Sequence, residues 1–459
     1  MAESRESLLL ILLLWQRIRR RRAATLLTVL LMLISARAQI VAATIALIGA
    51  HRAEFGERRV HGQGWTVALV ESMPDTQFEE NFRMCKSTYH RLCDHNGHLW
   101  SHVLADSLAA KTKKHGATRA AKLRKPSNEA FKLRFLIALY FFTSGAEYRV
   151  VANQFAVSKG YASTCVKKVA RLLDSRVNDY VKWPKPGPET ADVREQFRNC
   201  RGYPNCVGAI DGTKIEIETP FKQTARWQDF TAGQDKMSCI TATCVALPNL
   251  LFTFAYVGWP GSRTDSSVLR NSVLWAKTTS LISLGDYLFG DSGYPITRWL
   301  ITPYGSAQGK VGVKGNKATF NFNHASTRVC VENAFGLLKG RFRCLKFLHV
   351  RKAQAATVVT ACIVLHNMCI VGADVWHRPT TRDGTAEAQN PDATREHRGP
   401  KPHEVGVDVE FLGAAPPDDI DWGSKQEKKK GETKRNELKD FTLTCPMCRQ
   451  FKKRKRGEA

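Results

Sequence analysis

The sequence has few acidic residues for its many basic ones: 42 Asp and Glu stand against 69 Lys and Arg in 459 residues, a formal net charge of +27 at pH 7. This deficit of negative charge argues against a small-molecule metabolic enzyme and indicates a polyanionic partner, either nucleic acid or an acidic membrane surface. The hydrophobic share of 43% and the aromatic share of 9% exclude a wholly disordered chain. At roughly 100–200 residues per domain, the length allows two or three domains.

The 13 cysteines lack the spacing of a disulfide framework. Most of them, including Cys206, Cys244 and Cys362, lie inside apolar runs, where a free thiol behaves as a small hydrophobic group. This pattern indicates a reducing compartment, cytosol or nucleus. Cys445 and Cys448 form one CxxC pair, but no second Cys or His pair follows at zinc-finger spacing, so a metal-binding role is not favoured.

The N-terminal region lacks an uninterrupted membrane span. Its apolar run Ala23–Ala36 ends at Arg37, before the roughly 20 apolar residues that a bilayer requires. The preceding cluster Arg17–Arg22 gives the region some likeness to a signal peptide or anchor, and this alternative stays open. We predict a basic, low-complexity helical lead over residues 1–75 and no membrane association.

Three further regions follow along the chain. Residues 76–183 are predicted to be helical, with one helix over Phe78–Leu92. Residues 184–371 open on a proline-rich boundary and then alternate strand-like and helix-like runs, which predicts a mixed sheet of about five strands with helices on both faces. Residues 372–459 are rich in Pro, Gly and charge, and we predict a disordered basic tail.

The helical region contains the pattern of a helix-turn-helix. Phe131–Thr143 and Tyr148–Phe155 are predicted helices, and Ser158 is expected to cap a third helix that ends at Leu173. A basic third helix after a tight turn is typical of a recognition helix in the DNA major groove, although a bundle with a solvated charged face is the alternative. The cations predicted to contact DNA are Lys159, Lys167 and Lys168.

Three acidic residues occupy positions from which their side chains can converge. Asp211 follows an apolar strand, and we expect Gly212 to form a turn before a second strand begins. Asp291 ends another buried strand, and Glu332 lies on a run with helical periodicity. Asp211 and Asp291 should therefore lie at neighbouring strand ends, at one edge of the sheet, with Glu332 beside them.

Converging carboxylates repel one another unless a cation lies among them. Mg²⁺ or Mn²⁺ suits such a site, because these ions take oxygen ligands and leave positions open for water and phosphate. Two ions about 4 Å apart can assist an in-line phosphoryl displacement. Each acid also has an ordinary alternative, since Asp-Gly is a common turn and a helical Glu near Arg is usually a surface pair.

At these residues the chain resembles the PIF/Harbinger transposases and their domesticated nuclease relatives, a branch of the DDE superfamily. The resemblance covers residues 76–370 and implies an α/β fold: an RNase H-like catalytic core preceded by an all-α, helix-turn-helix-like region. The matching runs, in family order, are Val207–Thr213, Gly258–Ser262 with Asp265 and Leu269–Ser272, Gly290–Tyr294, Arg328 with Val331–Lys339, and Leu365–Asn367.

The resemblance implies a metal-binding triad of Asp211, Asp291 and Glu332, holding divalent Mg²⁺ or Mn²⁺, with two ions expected. Asp265 matches a further acid that is frequent in the family, although a structural turn explains it equally well. The implied function is a metal-dependent DNA endonuclease or transposase. The alternative is a catalytically silent relative that acts as a nuclear DNA-binding protein.

The resemblance also implies that Arg328 and Lys339 contact phosphate. Two positions depart from the family pattern, since Lys214 and Thr264 stand where the family usually has His. Neither departure removes an acid of the triad, so they bear on substrate details more than on metal binding.

The C-terminal cluster Lys452–Arg456 is typical of a nuclear localisation signal or a phosphate-binding arm, and a merely solubilising tail is the alternative. We therefore expect the nucleus, with the cytoplasm as the second choice. Besides DNA, the resemblance implies a Myb/SANT-like accessory protein as a candidate partner, and it is compatible with a homo-oligomer.

Overall fold

The structure is a computed structural model, and it describes residues 64–94, 128–219, 227–232, 237–305, 314–374 and 420–445, with isolated positions between 15 and 40. The chain divides into two units, Met1–Gln63 and Gly64–Ala459. Only isolated helical positions are described in the first unit. The predictions for most of the N-terminal lead, for Cys448 and for Lys452–Arg456 lie outside the described residues.

The second unit contains helices before, within and after a seven-stranded sheet. Residues 86–94 are helical as well. The other helices are α1 (Val67–Ser72), α2 (Asp75–Phe82), α3 (Asn128–Ser144), α4 (Tyr148–Gln154), α5 (Lys159–Asp174), α6 (Val177–Tyr180), α7 (Pro188–Arg201), α8 (Asp265–Arg270), α9 (Val273–Ala276), α10 (Thr278–Leu281), α11 (Gly315–Arg341), α12 (Lys352–Val371) and α13 (Lys425–Thr444). Two short 3-10 turns span Trp227–Phe230 and Arg343–Leu345.

The sheet mixes antiparallel and parallel pairing. The strands are β1 (Cys206–Ile217), β2 (Thr231–Ala232), β3 (Met237–Ala246), β4 (Phe252–Pro260), β5 (Tyr287–Phe289), β6 (Leu300–Ile301) and β7 (Phe347–Leu348). β1, β3 and β4 form an antiparallel meander, while β5 and β7 pair parallel with β1, and β6 pairs parallel with β5. The predicted mixed sheet is confirmed, with more strands than the five expected.

One edge of β1 is only partly paired. Its first residues, 206–209, pair with β5, and its last two, 216–217, pair with β7. Among the described residues, positions 210–215 have no strand partner on this side. The sheet therefore has a gap beside the middle of β1, and Asp211 lies in it.

Helices cover both faces of the sheet, because successive side chains of a strand point to opposite faces. Ala209 and Ile215 of β1 pack into a core that includes α3, α5 and α12, whereas Ile210 packs into a second core with α7 and α8. α11 contributes to both cores, with Phe320 in the second and Leu338 in the first. Its middle turns therefore cross from one layer to the other.

The N-terminal helices share the first of these cores and are not a separate body. α3 and α5 meet the sheet layer through buried apolar side chains such as Phe135 and Val166. Ser158 caps α5 by accepting a hydrogen bond from the Tyr161 amide, as its sequence predicts. The single helix expected over 78–92 is wrong: Arg83 has a left-handed backbone (φ 52°) and separates α2 from helical residues 86–94.

α12 is long and apolar enough to cross a membrane by length and composition, and no other helix in the described part of the chain meets that test. Most of its side chains are buried inside the protein. Burial on all sides explains an all-apolar helix without a bilayer.

The tail contains a docked helix, so the prediction of disorder from residue 372 onward is wrong for residues 420–445. Trp422, Leu438 and the Glu427 side chain of this segment are buried against the second core. At Gly431 the helix lies so close that an added Cβ would come within 2.6 Å of the Thr297 backbone. These contacts are made between residues distant in sequence, which local composition does not reveal.

Candidate active site

Asp211 and Asp291 lie side by side because β1 and β5 run parallel. Ala209 pairs with Phe289, and each acid stands two residues further along its own chain. Their predicted proximity is thus confirmed, although only Asp291 follows the end of its strand and Asp211 lies within β1. The expected turn at Gly212 is wrong, however, since β1 continues through Gly212 to Ile217. Asp211 stays within β1, paired with Cys244 of β3, and lies beside the gap in pairing on the other side of the strand.

Asp265 joins these two acids from α8. The Thr264 side chain caps this helix by accepting a hydrogen bond from the Ser267 amide, which fixes Asp265 in the first turn. Its carboxylate lies against Gly212, where a Cβ would overlap the Asp265 Oδ1 atom. Gly212 is therefore required for close approach between α8 and β1, and it brings Asp265 next to Asp211.

The three aspartates, which we call the carboxylate cluster, repel one another. Burial, together with the charges of Asp291 and Asp211, raises the pKa of Asp265 to about 6. Burial and the charge of Asp211 also raise the pKa of Asp291, although backbone amides of Gly293 and Tyr294 oppose this. The cluster has the excess of negative charge that a divalent cation would relieve.

Arg328 of α11 provides the nearest cation. Its Nη2 donates to Asp211 Oδ2 at 2.8 Å, and its Nη1 donates to Glu332 Oε1 at 3.1 Å, one helical turn away. Glu332 is half exposed, with 49% of its side chain accessible. The structure thus joins Glu332 to the cluster through Arg328, and the charge of Glu332 is not among those that shift Asp265 or Asp291.

Lys339, which is predicted to contact phosphate, contacts the protein backbone in the structure. Its Nζ donates to the Lys214 carbonyl at 2.8 Å, within the unpaired stretch of β1. Burial lowers the pKa of Lys339 to about 8. The lysine therefore donates a hydrogen bond to a β1 carbonyl in the stretch that has no neighbouring strand on the side of β5 and β7.

Tyr294 belongs to this site and was not singled out from the sequence. Its side chain is buried, and its hydroxyl has no hydrogen-bond partner among the described residues. Burial and the charges of the three aspartates raise its pKa well above the usual value. The only sequence signal was its place three residues after Asp291, at the end of a matching run.

The carboxylate cluster fits hard divalent ions by donor type, because its atoms are carboxylate oxygens and its charge is uncompensated. In the part of the chain that the structure describes, no three His, Cys, Asp or Glu side chains are arranged to hold a metal ion. A cavity of about 720 Å³ between α13 and residues 282–286 lies at the opposite end of β5 and is separate from the cluster.

The lysines predicted to contact DNA lie on α5. Lys159 is exposed at its first turn, while Lys167 and Lys168 are half-buried. The helix buries apolar residues on much of its circumference, including Cys165, Val169 and Leu172. Its basic side is therefore narrower than the sequence indicates.

Comparison with known proteins identifies relatives of the region that contains this site. Residues 210–367 match the family described as DDE superfamily endonuclease. This range begins one residue before Asp211 and contains Asp265, Asp291 and Glu332.

Curated relatives match a larger part of the chain. The human protein named "Putative nuclease HARBI1" is 27% identical over 288 residues, which are 60% of this chain and 78% of that protein. "Protein ALP1-like" from Arabidopsis thaliana is 26% identical over 312 residues, which are 64% of this chain and 70% of that protein. No solved structure matches the chain.

Proposed function

Because this chain belongs to the Harbinger-type DDE superfamily endonucleases, we propose that it cleaves DNA phosphodiester bonds with divalent metal ions held by the carboxylate cluster. One observation carries the proposal. Asp211, Asp265 and Asp291 come from three separate parts of the chain, yet Asp211 lies close enough to raise the pKa of both other acids, and Asp291 raises that of Asp265. A fold does not gather like charges at a cost to its stability unless something else is bound there.

Each side chain has a distinct task in this proposal. Asp211 and Asp291 would hold the ions, with Asp265 as the nearest third carboxylate and Glu332 as the acid beyond Arg328. When bound, Mg²⁺ or Mn²⁺ supplies charge stabilisation and lowers the pKa of the attacking water, and two ions would serve both sides of an in-line displacement. The buried hydroxyl of Tyr294, which has no hydrogen-bond partner among the described residues, would orient a carboxylate of the cluster by donating a hydrogen bond once metal is bound.

Cleavage is tested on duplexes that carry the terminal repeats flanking the gene, with Mg²⁺ or Mn²⁺ and with EDTA. Asp211→Asn keeps the side-chain shape but removes a charge, and cleavage should fall at least a hundredfold. Glu216→Gln is the matched control, since it removes a charge from the same strand about 17 Å further along. If Asp211→Asn cleaves at the parental rate, the nuclease proposal is wrong, and a DNA-binding protein that only inherited the fold remains.

Two further variants decide which acid completes the ligand set. Asp265→Asn and Glu332→Gln each remove one charge, from α8 and α11 respectively. We expect both losses of cleavage to be large, because the resemblance assigns Glu332 and the geometry favours Asp265. A mild loss in one of them would restrict that residue to a supporting contact.

We also propose that α5 contacts duplex DNA. Replacing Lys159, Lys167 and Lys168 by Ala should weaken binding and flatten its salt dependence, since each lost phosphate contact removes close to one released counterion. A matched control removes three exposed charges from α13: Lys425, Lys428 and Lys429. An unchanged salt slope for the α5 variant would make α5 a core helix with solvated charges.

Nuclear localisation remains a proposal based on Lys452–Arg456. Replacing this cluster by Ala in a tagged protein should shift it toward the cytoplasm, unless a Myb/SANT-like partner carries it. Fractionation of the same protein tests the alternative of a membrane anchor in residues 1–75. Recovery in the membrane fraction after a salt wash would favour the anchor.

A further inference from the structure

Arg328 contacts two of the acids that the proposed function assigns to metal binding. Its guanidinium spans Asp211 and Glu332, one carboxylate on each Nη atom. Only 13% of the Arg328 side chain is exposed, so the guanidinium lies within the site and is not a loose surface group. A planar, permanently charged fork suits such a double contact.

The charge of Arg328 acts on the whole carboxylate cluster. It binds Asp211 directly, and it opposes the rise in pKa of both Asp265 and Asp291. Arg328 is therefore a cation that all three aspartates share.

Both carboxylate oxygens of Asp211 are already used. Oδ1 accepts a hydrogen bond from the Gly212 amide at 2.9 Å, and Oδ2 accepts one from Arg328. Each oxygen keeps a second lone pair that a metal ion can use, but the guanidinium charge 2.8 Å from Oδ2 would repel that ion unless the guanidinium moves away. The amide is fixed in β1, whereas Arg328 lies on a long side chain that can rotate away.

We propose that Arg328 is an exchangeable counter-ion, which neutralises Asp211 and Glu332 until a divalent ion displaces it. This inference rests on the proposed metal-binding function. The exchange replaces one positive charge by two, so it reduces the excess negative charge of the carboxylate cluster without removing it. It also frees the Oε1 of Glu332, which explains how this acid can join the other carboxylates only when metal is present.

The exchange has a second consequence for the substrate. A guanidinium released from Asp211 and Glu332 can donate both Nη groups to a phosphate, which it binds in the same bidentate manner. Metal binding would then strengthen DNA binding, and DNA would strengthen metal binding by the same factor, because such coupling is reciprocal.

The direction in which the Mn²⁺ affinity changes distinguishes an exchangeable counter-ion from a residue that only braces the site or only contacts DNA. Mn²⁺ binding at pH 7.5 is measured by titration calorimetry for the full chain and for Arg328→Gln. Removing a competing cation should tighten Mn²⁺ binding, by roughly 5- to 100-fold for coupling of the usual size. A residue that only braces the site, or only touches DNA, would leave the affinity unchanged or weaken it, and either result overturns the inference. Arg328→Lys keeps the charge and should lie between wild type and Arg328→Gln.

Folding is followed in parallel, because Arg328→Gln leaves acids without their counter-ion. Its melting temperature should be lower than that of wild type in EDTA, and Mg²⁺ should raise it more than it raises that of wild type. If Arg328→Gln does not fold, the wild-type protein gives the test. The Nε–H resonance of Arg328, identified by its absence from the Arg328→Lys spectrum, should shift on adding Mg²⁺, and a constant resonance would overturn the exchange.

DNA affinity tests the coupling without cleavage when Ca²⁺ replaces Mg²⁺. Ca²⁺ should strengthen DNA binding of wild type more than that of Arg328→Gln, and equal enhancement would overturn the release of Arg328 to phosphate. Asp211→Asn keeps the two hypotheses distinct. Binding of Mn²⁺ by wild type but not by Asp211→Asn would support the metal site. If Arg328→Gln then binds Mn²⁺ no more tightly than wild type does, the metal site stands but the exchange of Arg328 is overturned. If wild type binds no Mn²⁺, both fail.

Discussion

Two groups of charged side chains lie inside this fold, and they are built in opposite ways. The carboxylate cluster holds three aspartates against Arg328, with pKa values raised by burial and repulsion. The pair formed by Arg341 and Asp374, with side chains 1% and 0% exposed, has its charges matched one to one. Asp374 also accepts a hydrogen bond from the Cys85 amide, and Arg341 donates to the Arg83 carbonyl.

The comparison distinguishes buried charges that stabilise the fold from buried charges that suit the binding of a ligand. A pair with matched charges holds α11, the end of α12 and the N-terminal helices together, and it has no excess charge for a ligand to neutralise. The cluster at β1 is deficient in positive charge and stays accessible beside the half-exposed Glu332. Removing one charge of the Arg341–Asp374 pair should therefore lower the stability of the protein, whereas reducing the repulsion within the carboxylate cluster should raise it.

The largest effect is expected for Asp374→Asn. It leaves the buried Arg341 without its counter-charge, and the free energy of unfolding should fall by about 3–5 kcal/mol. Urea unfolding measures this change. Asp179→Asn breaks the more exposed pair with Arg176 as a control, and it should cost below about 1 kcal/mol. Equal costs for the two variants would remove the distinction between the sites.

A smaller effect is expected for Gly212→Ala, which pushes Asp265 away from Asp211. The added methyl group overlaps the end of the Asp265 side chain, and overpacking of this kind costs at most about 1–3 kcal/mol here, because moving Asp265 away from Asp211 also relieves repulsion. The cost should vanish in an Asp265→Ala background, since the overlapping atoms are gone. A cost that persists in the double variant would place the conflict elsewhere.

The sequence predicts the parts of this site that depend on single elements. Acids at the ends of apolar runs led to Asp211 and Asp291, and parallel pairing of β1 with β5 brings them together. The position of Asp265 depends on the missing Cβ of Gly212, which only packing of α8 on β1 reveals. For that reason the sequence alone does not distinguish a metal-binding Asp265 from a residue of a structural turn.

Other features could not be predicted because their contacts join distant residues. The double contact of Arg328 needs Asp211, which lies 117 residues earlier in the chain. His366 and Asn367 match the family without an evident task, yet Asn367 binds both backbone groups of Phe252, and His366 contacts the Leu250 carbonyl. Burial lowers the pKa of His366 to about 4, so it stays neutral in this structural role.

An effect similar in size to that of Gly212→Ala, but dependent on pH, is expected for Asp265→Asn in the absence of metal. The folded pKa of Asp265 is about 6, above its ordinary value, so the folded protein binds the proton more tightly than the unfolded chain. Wild-type stability should therefore fall as pH rises from 4 to 6. The variant lacks this loss and should be more stable than wild type by about 2 kcal/mol at pH 7, with no difference near pH 4. Urea unfolding in EDTA checks this, and saturating Mg²⁺ should reverse the order at pH 7.

The smallest effect concerns Asp174, at the end of α5 and away from the cluster. Burial raises its pKa to about 6, although a hydrogen bond with Thr360 opposes the shift. Its negative charge also faces the C-terminal end of a helix dipole, which disfavours anions. Asp174→Asn should stabilise the protein at pH 7 by below about 1 kcal/mol after solvent screening, and not at pH 4. Unlike Asp265→Asn, it should leave the stabilisation by Mg²⁺ unchanged. If both variants alter that stabilisation equally, raised pKa values in this fold do not mark the metal site.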